Sequence, residues 1–103
     1  MRIERDAFYS MLGIAKRAGA LTLGTDGVLT AIASGSVKLV LLHAAASENT
    51  KKKFHDSCAF YGIDLYETAP DRLVFAIGKP GRMCAGVAKG PLGDKLHKLA
   101  QEG

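Results

Sequence analysis

The sequence predicts an α/β fold, a three-layer α/β/α sandwich around a small mixed sheet of about four strands. Three observations predict it. Segments with a helical apolar period alternate with short apolar runs, so the chain reads αβαβαβαβα. Glycines fall where helices should stop, at Gly19, Gly35, Gly62 and Gly78, and glycine is the residue that best ends a helix. The run from Val37 to Leu42 is almost wholly apolar, the pattern of a strand covered on both faces. Parallel strands must be joined through crossovers, and helices on both sides of the sheet supply them.

Each element has its own signal. Phe8, Met11, Leu12 and Ala15 stand at i, i+3, i+4 and i+7, one face of an amphipathic helix that stops at Gly19. Leu21 to Leu23 is a short strand. Thr25 or Asp26 is the expected cap of a second helix, with Val28, Leu29 and Ile32 inward and Gly35 as its stop. After the Val37 to Leu42 strand, Ser47 caps a third helix, whose Phe54, Cys58 and Tyr61 recur at i, i+4 and i+7 before Gly62. Ile63 to Glu67 reads as a strand, Asp71 to Ile77 as a short helix closed by Gly78, and Met83 to Ala88 as the last strand. Leu92, Leu96 and Leu99 line one face of a closing helix. No linker, repeat or low-complexity segment divides residues 1–103, so a single domain is expected.

Composition narrows the function. Hydrophobic residues make up 48% and charged residues 23% of 103, an ordinary globular balance. No stretch reaches the roughly 20 apolar residues of a membrane-spanning helix, and the polar start Met1 to Asp6 is no secretory signal. The expectation is a cytoplasmic protein that meets no membrane. Cys58 and Cys84 are far apart, without a CxxC or CxH neighbour, so they read as small buried apolar residues rather than a disulfide or metal site. The net charge of +4 favours an anionic partner.

An enzyme would need a convergent acid, base, nucleophile or metal set. His43, His55 and His97 have no second ligand at helical or hairpin spacing, and no GxSxG or Walker A pattern occurs. His43 ends a buried strand, where open α/β sheets bind ligands, but a histidine at a loop edge is the simpler reading. No catalysis, cofactor or metal is expected. Two places suit phosphates and bases instead. At Gly24-Thr25-Asp26-Gly27 a glycine admits close backbone approach and a helix N-terminus offers free N–H groups; Asp26 there repels phosphate and suits the helix dipole or a base amino group. Gly78-Lys79-Pro80-Gly81-Arg82 is a rigid basic turn, with a point charge and a planar fork. Lys51, Lys52 and Lys53 are consecutive on a helix and so point apart.

Several stretches also resemble a known family. They are Leu12-Gly13-Ile14-Ala15-Lys16-Arg17-Ala18-Gly19, Ala31-Ile32-Ala33-Ser34-Gly35 after Gly24, Lys38-Leu39-Val40-Leu41-Leu42, Ala46-Ser47-Glu48-Asn49-Thr50-Lys51-Lys52-Lys53 and Ala76-Ile77-Gly78-Lys79. Together they resemble the ribosomal protein L7Ae family, in its bacterial YlxQ-like branch, from about Phe8 to Ala88. The resemblance implies an α/β/α sandwich without catalysis that binds structured RNA, often a kink-turn. Its expected partners are ribosomal RNA first and ribosomal proteins second, and its expected state is a monomer. In the family the reader opens the second helix: glycine, a polar residue, Asn or Lys, Glu or Gln, and a Lys three residues later. Aligned on Gly24, this chain has Thr25, Asp26, Gly27 and Thr30 at those places, so only the glycine is kept. The loop before the last strand, here Lys79, Pro80, Gly81, Arg82 and Met83, keeps its basic and apolar members. Lys16 and Arg17 complete the expected RNA contacts. The alternatives are a protein-interaction module that has lost its reader and a small-molecule enzyme built on His43.

Overall fold

The computed structural model describes residues 2–3, 6–68 and 84–102. In chain order these form β1 (Arg2–Ile3), α1 (Asp6–Arg17), β2 (Leu21–Leu23), α2 (Thr25–Ser34), β3 (Val37–His43), α3 (Glu48–Tyr61), β4 (Asp64–Thr68), β5 (Cys84–Ala88) and α4 (Pro91–Gln101). The strands pair in the order β1-β4-β3-β5-β2. β1 and β3 run parallel to β4, while β5 is antiparallel to both β3 and β2. Four strands therefore point one way and β5 the other. The expected α/β class and mixed sheet are found, and the sheet gains a fifth strand at Arg2–Ile3. Two residues are too few to show a period, and only their pairing with Glu67 and Thr68 makes them a strand. The expected helix from Asp71 to Ile77 lies outside the described residues.

Strand β3 alternates between two cores, which is why its sequence is apolar throughout. Leu39 and Leu41 meet Phe8, Leu12, Ala15, Leu96 and Ala100 on the α1 and α4 side. Val40 and Leu42 meet Val28, Ile32, Phe54 and Cys58 on the α2 and α3 side. Burying each such leucine or phenylalanine contributes roughly 1.5–3 kcal/mol. Cys58 and Cys84 are buried thiols that form no disulfide, the small-apolar role expected of them.

Helix ends follow the local chemistry, with two corrections. Ser47 caps α3 as expected, its hydroxyl accepting from the Thr50 N–H at 3.2 Å, and Gly62 closes the helix in the left-handed region. Neither Thr25 nor Asp26 caps α2. Gly24 takes that position with φ 91°, and its lack of a side chain leaves the first turn without a side-chain acceptor. Tyr61, expected inward, is 46% exposed and packs edge-on against Phe60, which is itself exposed. It is the last residue of α3, beyond the point where the helix covers the sheet. Gly93 lies inside α4 because a Cβ there would run into the carbonyl oxygen of Ala88.

Candidate functional site

In an open α/β sheet, ligands gather beyond the carboxyl ends of the parallel strands. Here that end holds Gly24 after β2, His43 to Ser47 after β3, and Thr68, the last residue of β4. Cys84 opens β5 opposite Leu42, so the chain enters its last strand at the same end. The N-termini of α1, α2 and α3 also meet there, because each helix follows a strand running toward it. Helix N-termini bring partial positive charge and outward N–H groups. Each first turn also carries an acid, Asp6, Asp26 and Glu48.

The opening of α2 is the part of this end most suited to a ligand. Gly24 sits at φ 91° and ψ 150°, a backbone region that only glycine occupies without strain. The chain's own geometry thus requires the glycine, whatever binds. Without a capping side chain, the first-turn N–H groups of α2 remain for an outside acceptor. Thr25 is half-buried, while Asp26, Gly27 and Thr30 are exposed. Gly27 stands over β2, and a Cβ placed on it would lie 3.2 Å from Cγ2 of Thr22. Nothing in the local sequence signals that contact, since Thr22 comes from the strand before.

The expected site residues do not all come together. Lys16 and Arg17 end α1, and the chain then turns into β2, so they stand at the start of β2 while Gly24 stands beyond its end. The structure places these two groups at opposite ends of the sheet. Lys79, Pro80, Gly81, Arg82 and Met83 lie outside the described residues. Lys51 is half-buried, Lys52 pairs with Asp56 at 3.1 Å and Lys53 is exposed, the divergence expected of three consecutive helical residues.

His43 is held for structural work. It is buried, at 6% exposure, and its Nδ1 accepts a hydrogen bond from the Ala45 N–H at 3.0 Å. Its carbonyl accepts from the Ala46 N–H at 3.0 Å. The imidazole thereby ties the β3–α3 turn, the loop-edge role that its position suggested. Among the described residues no three His, Cys, Asp or Glu side chains are grouped to hold a metal. No described helix is long and apolar enough to cross a membrane.

A small three-layer α/β/α sandwich, with a glycine-opened helix at the carboxyl end of its sheet, is the frame on which a recognisable family is built. Residues 6–96 match the ribosomal protein L7Ae/L30e/S12e/Gadd45 family, and the chain belongs to it. The RNA-binding protein YlxQ of Bacillus subtilis is 36% identical over 94 residues, covering 89% of this chain and 93% of the relative. YlxQ of Enterococcus faecium is 32% identical over 99 residues, with 95% of each chain covered. A Bacillus halodurans protein of unknown function superposes with a TM-score of 0.87 at 36% identity, covering 94% of this chain and 99% of its own. The Giardia lamblia 15.5kD RNA binding protein, at a TM-score of 0.77 and 16% identity, covers 97% of this chain and 90% of its own. That last likeness speaks for the fold alone.

Proposed function

We propose that this chain is a non-catalytic, single-domain RNA-binding protein of the cytoplasm. It recognises structured RNA, ribosomal or kink-turn-like, and acts in association with translation. One observation carries the reading: α2 opens on a positive-φ glycine with no capping side chain, at the sheet end where helix N-termini gather. An RNA backbone can approach that turn closely, and its phosphates find N–H donors there. Relatives that cover most of the chain and are named as RNA-binding support the reading. Sequence-distant loop residues Lys79 and Arg82 complete the proposed interface.

The test compares Lys79→Ala/Arg82→Ala with Lys95→Ala/Lys98→Ala, two exposed positions on α4, in titrations against a kink-turn RNA over a range of salt. The first pair is expected to weaken binding and flatten the salt slope by about 2, since each phosphate contact contributes roughly 0.9. Melting temperatures should stay near the parent's, because exposed charges contribute little to folding. Equal losses from both pairs would mean a diffuse field rather than a site.

A second reading is a protein-interaction module on the same scaffold. It is favoured by the exposed Asp26, Gly27 and Thr30, which carry neither the amide nor the cation of the family reader. Crosslinking in cells separates the two. Recovery of protein partners without attached RNA would select the module.

A further inference from the structure

We propose that the end of the sheet opposite Gly24 is a second contact for the phosphate backbone of RNA, built from Lys16, Arg17 and Lys89. The inference rests on the RNA-binding reading above and adds a separate surface to it. Three segments distant in sequence form this end. The Ala20 carbonyl accepts from the Ala88 N–H at 2.9 Å, and the Ser36 carbonyl accepts from the Lys89 N–H at 3.2 Å. The turn after α1, the turn after α2 and the exit of β5 are thereby locked side by side. Arg17 and Lys89 are exposed there, with Lys16 half-buried beside them.

Charge at this end is unbalanced. Among the described residues its two carboxylates are engaged, Asp94 with Lys38 at 3.6 Å and Asp64 with His97 at 2.6 Å. No described hydrogen bond or ion pair holds the side chains of Lys16, Arg17 or Lys89. The Gly24 end is mixed in charge, with Asp6, Asp26 and Glu48 in its first turns and Lys51, Lys52 and Lys53 just after Glu48 in α3. Ala20 and Gly24 flank the three-residue β2, so the two ends lie roughly 13 Å apart along that strand. That exceeds the screening length of roughly 8 Å at physiological salt, so the charges of the two ends are largely screened from each other. One phosphate cannot reach both, and the partner is a second segment of RNA.

A competing role is purely local: cations in the last turn of α1 also complement the helix carbonyls. The test separates the two roles by titrating a fluorescent A-form RNA duplex without a kink against the parent, Arg17→Ala/Lys89→Ala and Lys53→Ala/Lys98→Ala, the last pair exposed and away from this end. Salt is varied, and each protein is melted in parallel. Arg17→Ala/Lys89→Ala is expected to lower the salt slope by about 2 and the low-salt affinity by about tenfold or more. The control pair should change the slope by less than half as much. Equal slopes for the two variants overturn the proposal. So does a lowered melting temperature with binding intact, which assigns the cations to the helix end alone. A parent that binds a kink-turn hairpin but not the duplex overturns this second contact only. A parent that binds neither RNA overturns the RNA reading itself.

Discussion

Restoring the family reader is the perturbation that most directly probes the α2 opening. The triple variant Asp26→Asn, Gly27→Glu, Thr30→Lys returns an amide for base edges, a carboxylate acceptor and a cation for phosphate. Asp26 and Thr30 are exposed, so their exchange should cost little. Gly27 decides the folding side. A side chain in the first turn of α2 should gain up to about 1 kcal/mol from helix propensity, and a carboxylate there about 0.3–1 kcal/mol from the dipole. Against this, the new Cβ would stand 3.2 Å from Cγ2 of Thr22, so that methyl must yield by a few tenths of an ångström. Thr22 is only half-buried, and its relaxation should use up part of the gain without reversing it. The expected net effect on stability lies between zero and a gain of about 1 kcal/mol. On the binding side, one recovered bidentate or charged contact contributes about 1–3 kcal/mol. A tenfold gain in affinity for a kink-turn RNA, about 1.4 kcal/mol, is therefore a floor for three restored groups. A duplex without the kink should bind no better than before. The assay titrates both RNAs against parent and variant, with thermal melts alongside. A parent that already binds the kink-turn tightly, unimproved by the triple change, would refute the lost-reader argument and move recognition toward Lys79 to Met83.

Three further outcomes follow from the packing. Gly93→Ala reverses the usual helix rule: propensity alone favours alanine, but its Cβ would collide with the Ala88 carbonyl, so melts should show a loss of about 1–3 kcal/mol, and a more stable variant would refute the contact. Ser47→Ala leaves the Thr50 N–H without its acceptor and should cost about 0.5–2 kcal/mol in denaturant unfolding, an unchanged midpoint counting against the cap. Burial, and then the nearby charge of Asp64, pushes the Cys58 thiol from 9.0 up to about 11. Its stabilising share is intact below pH 9 and is lost as pH rises through 9 to 11, because the unfolded thiol ionises first. Melts across that window should fall more steeply for the parent than for Cys58→Ala; parallel curves would refute the assignment.

Much of this fold was legible in the order of residues, because helical and strand periods are local and report which side of each element is buried. Phe8, Leu12 and Ala15, the apolar β3, and the Ser47 cap all stand in the structure where their spacing puts them. The family, too, was legible, in blocks such as Ala15-Lys16-Arg17-Ala18-Gly19. What tertiary structure alone decided is everything that depends on strand order. A two-residue strand exists only through its pairing with Glu67 and Thr68. Gly27 is crowded by a threonine from another element, and the His43 ring is turned onto the Ala45 N–H. Most consequential, Lys16 and Arg17 are close in sequence to Gly24 yet stand at the other end of the sheet, beside Lys89. The reason is geometric: an intervening strand carries the chain across the sheet, so neighbours along the chain end up apart. Backbone hydrogen bonds then join turns some 70 residues distant, as between Ala20 and Ala88.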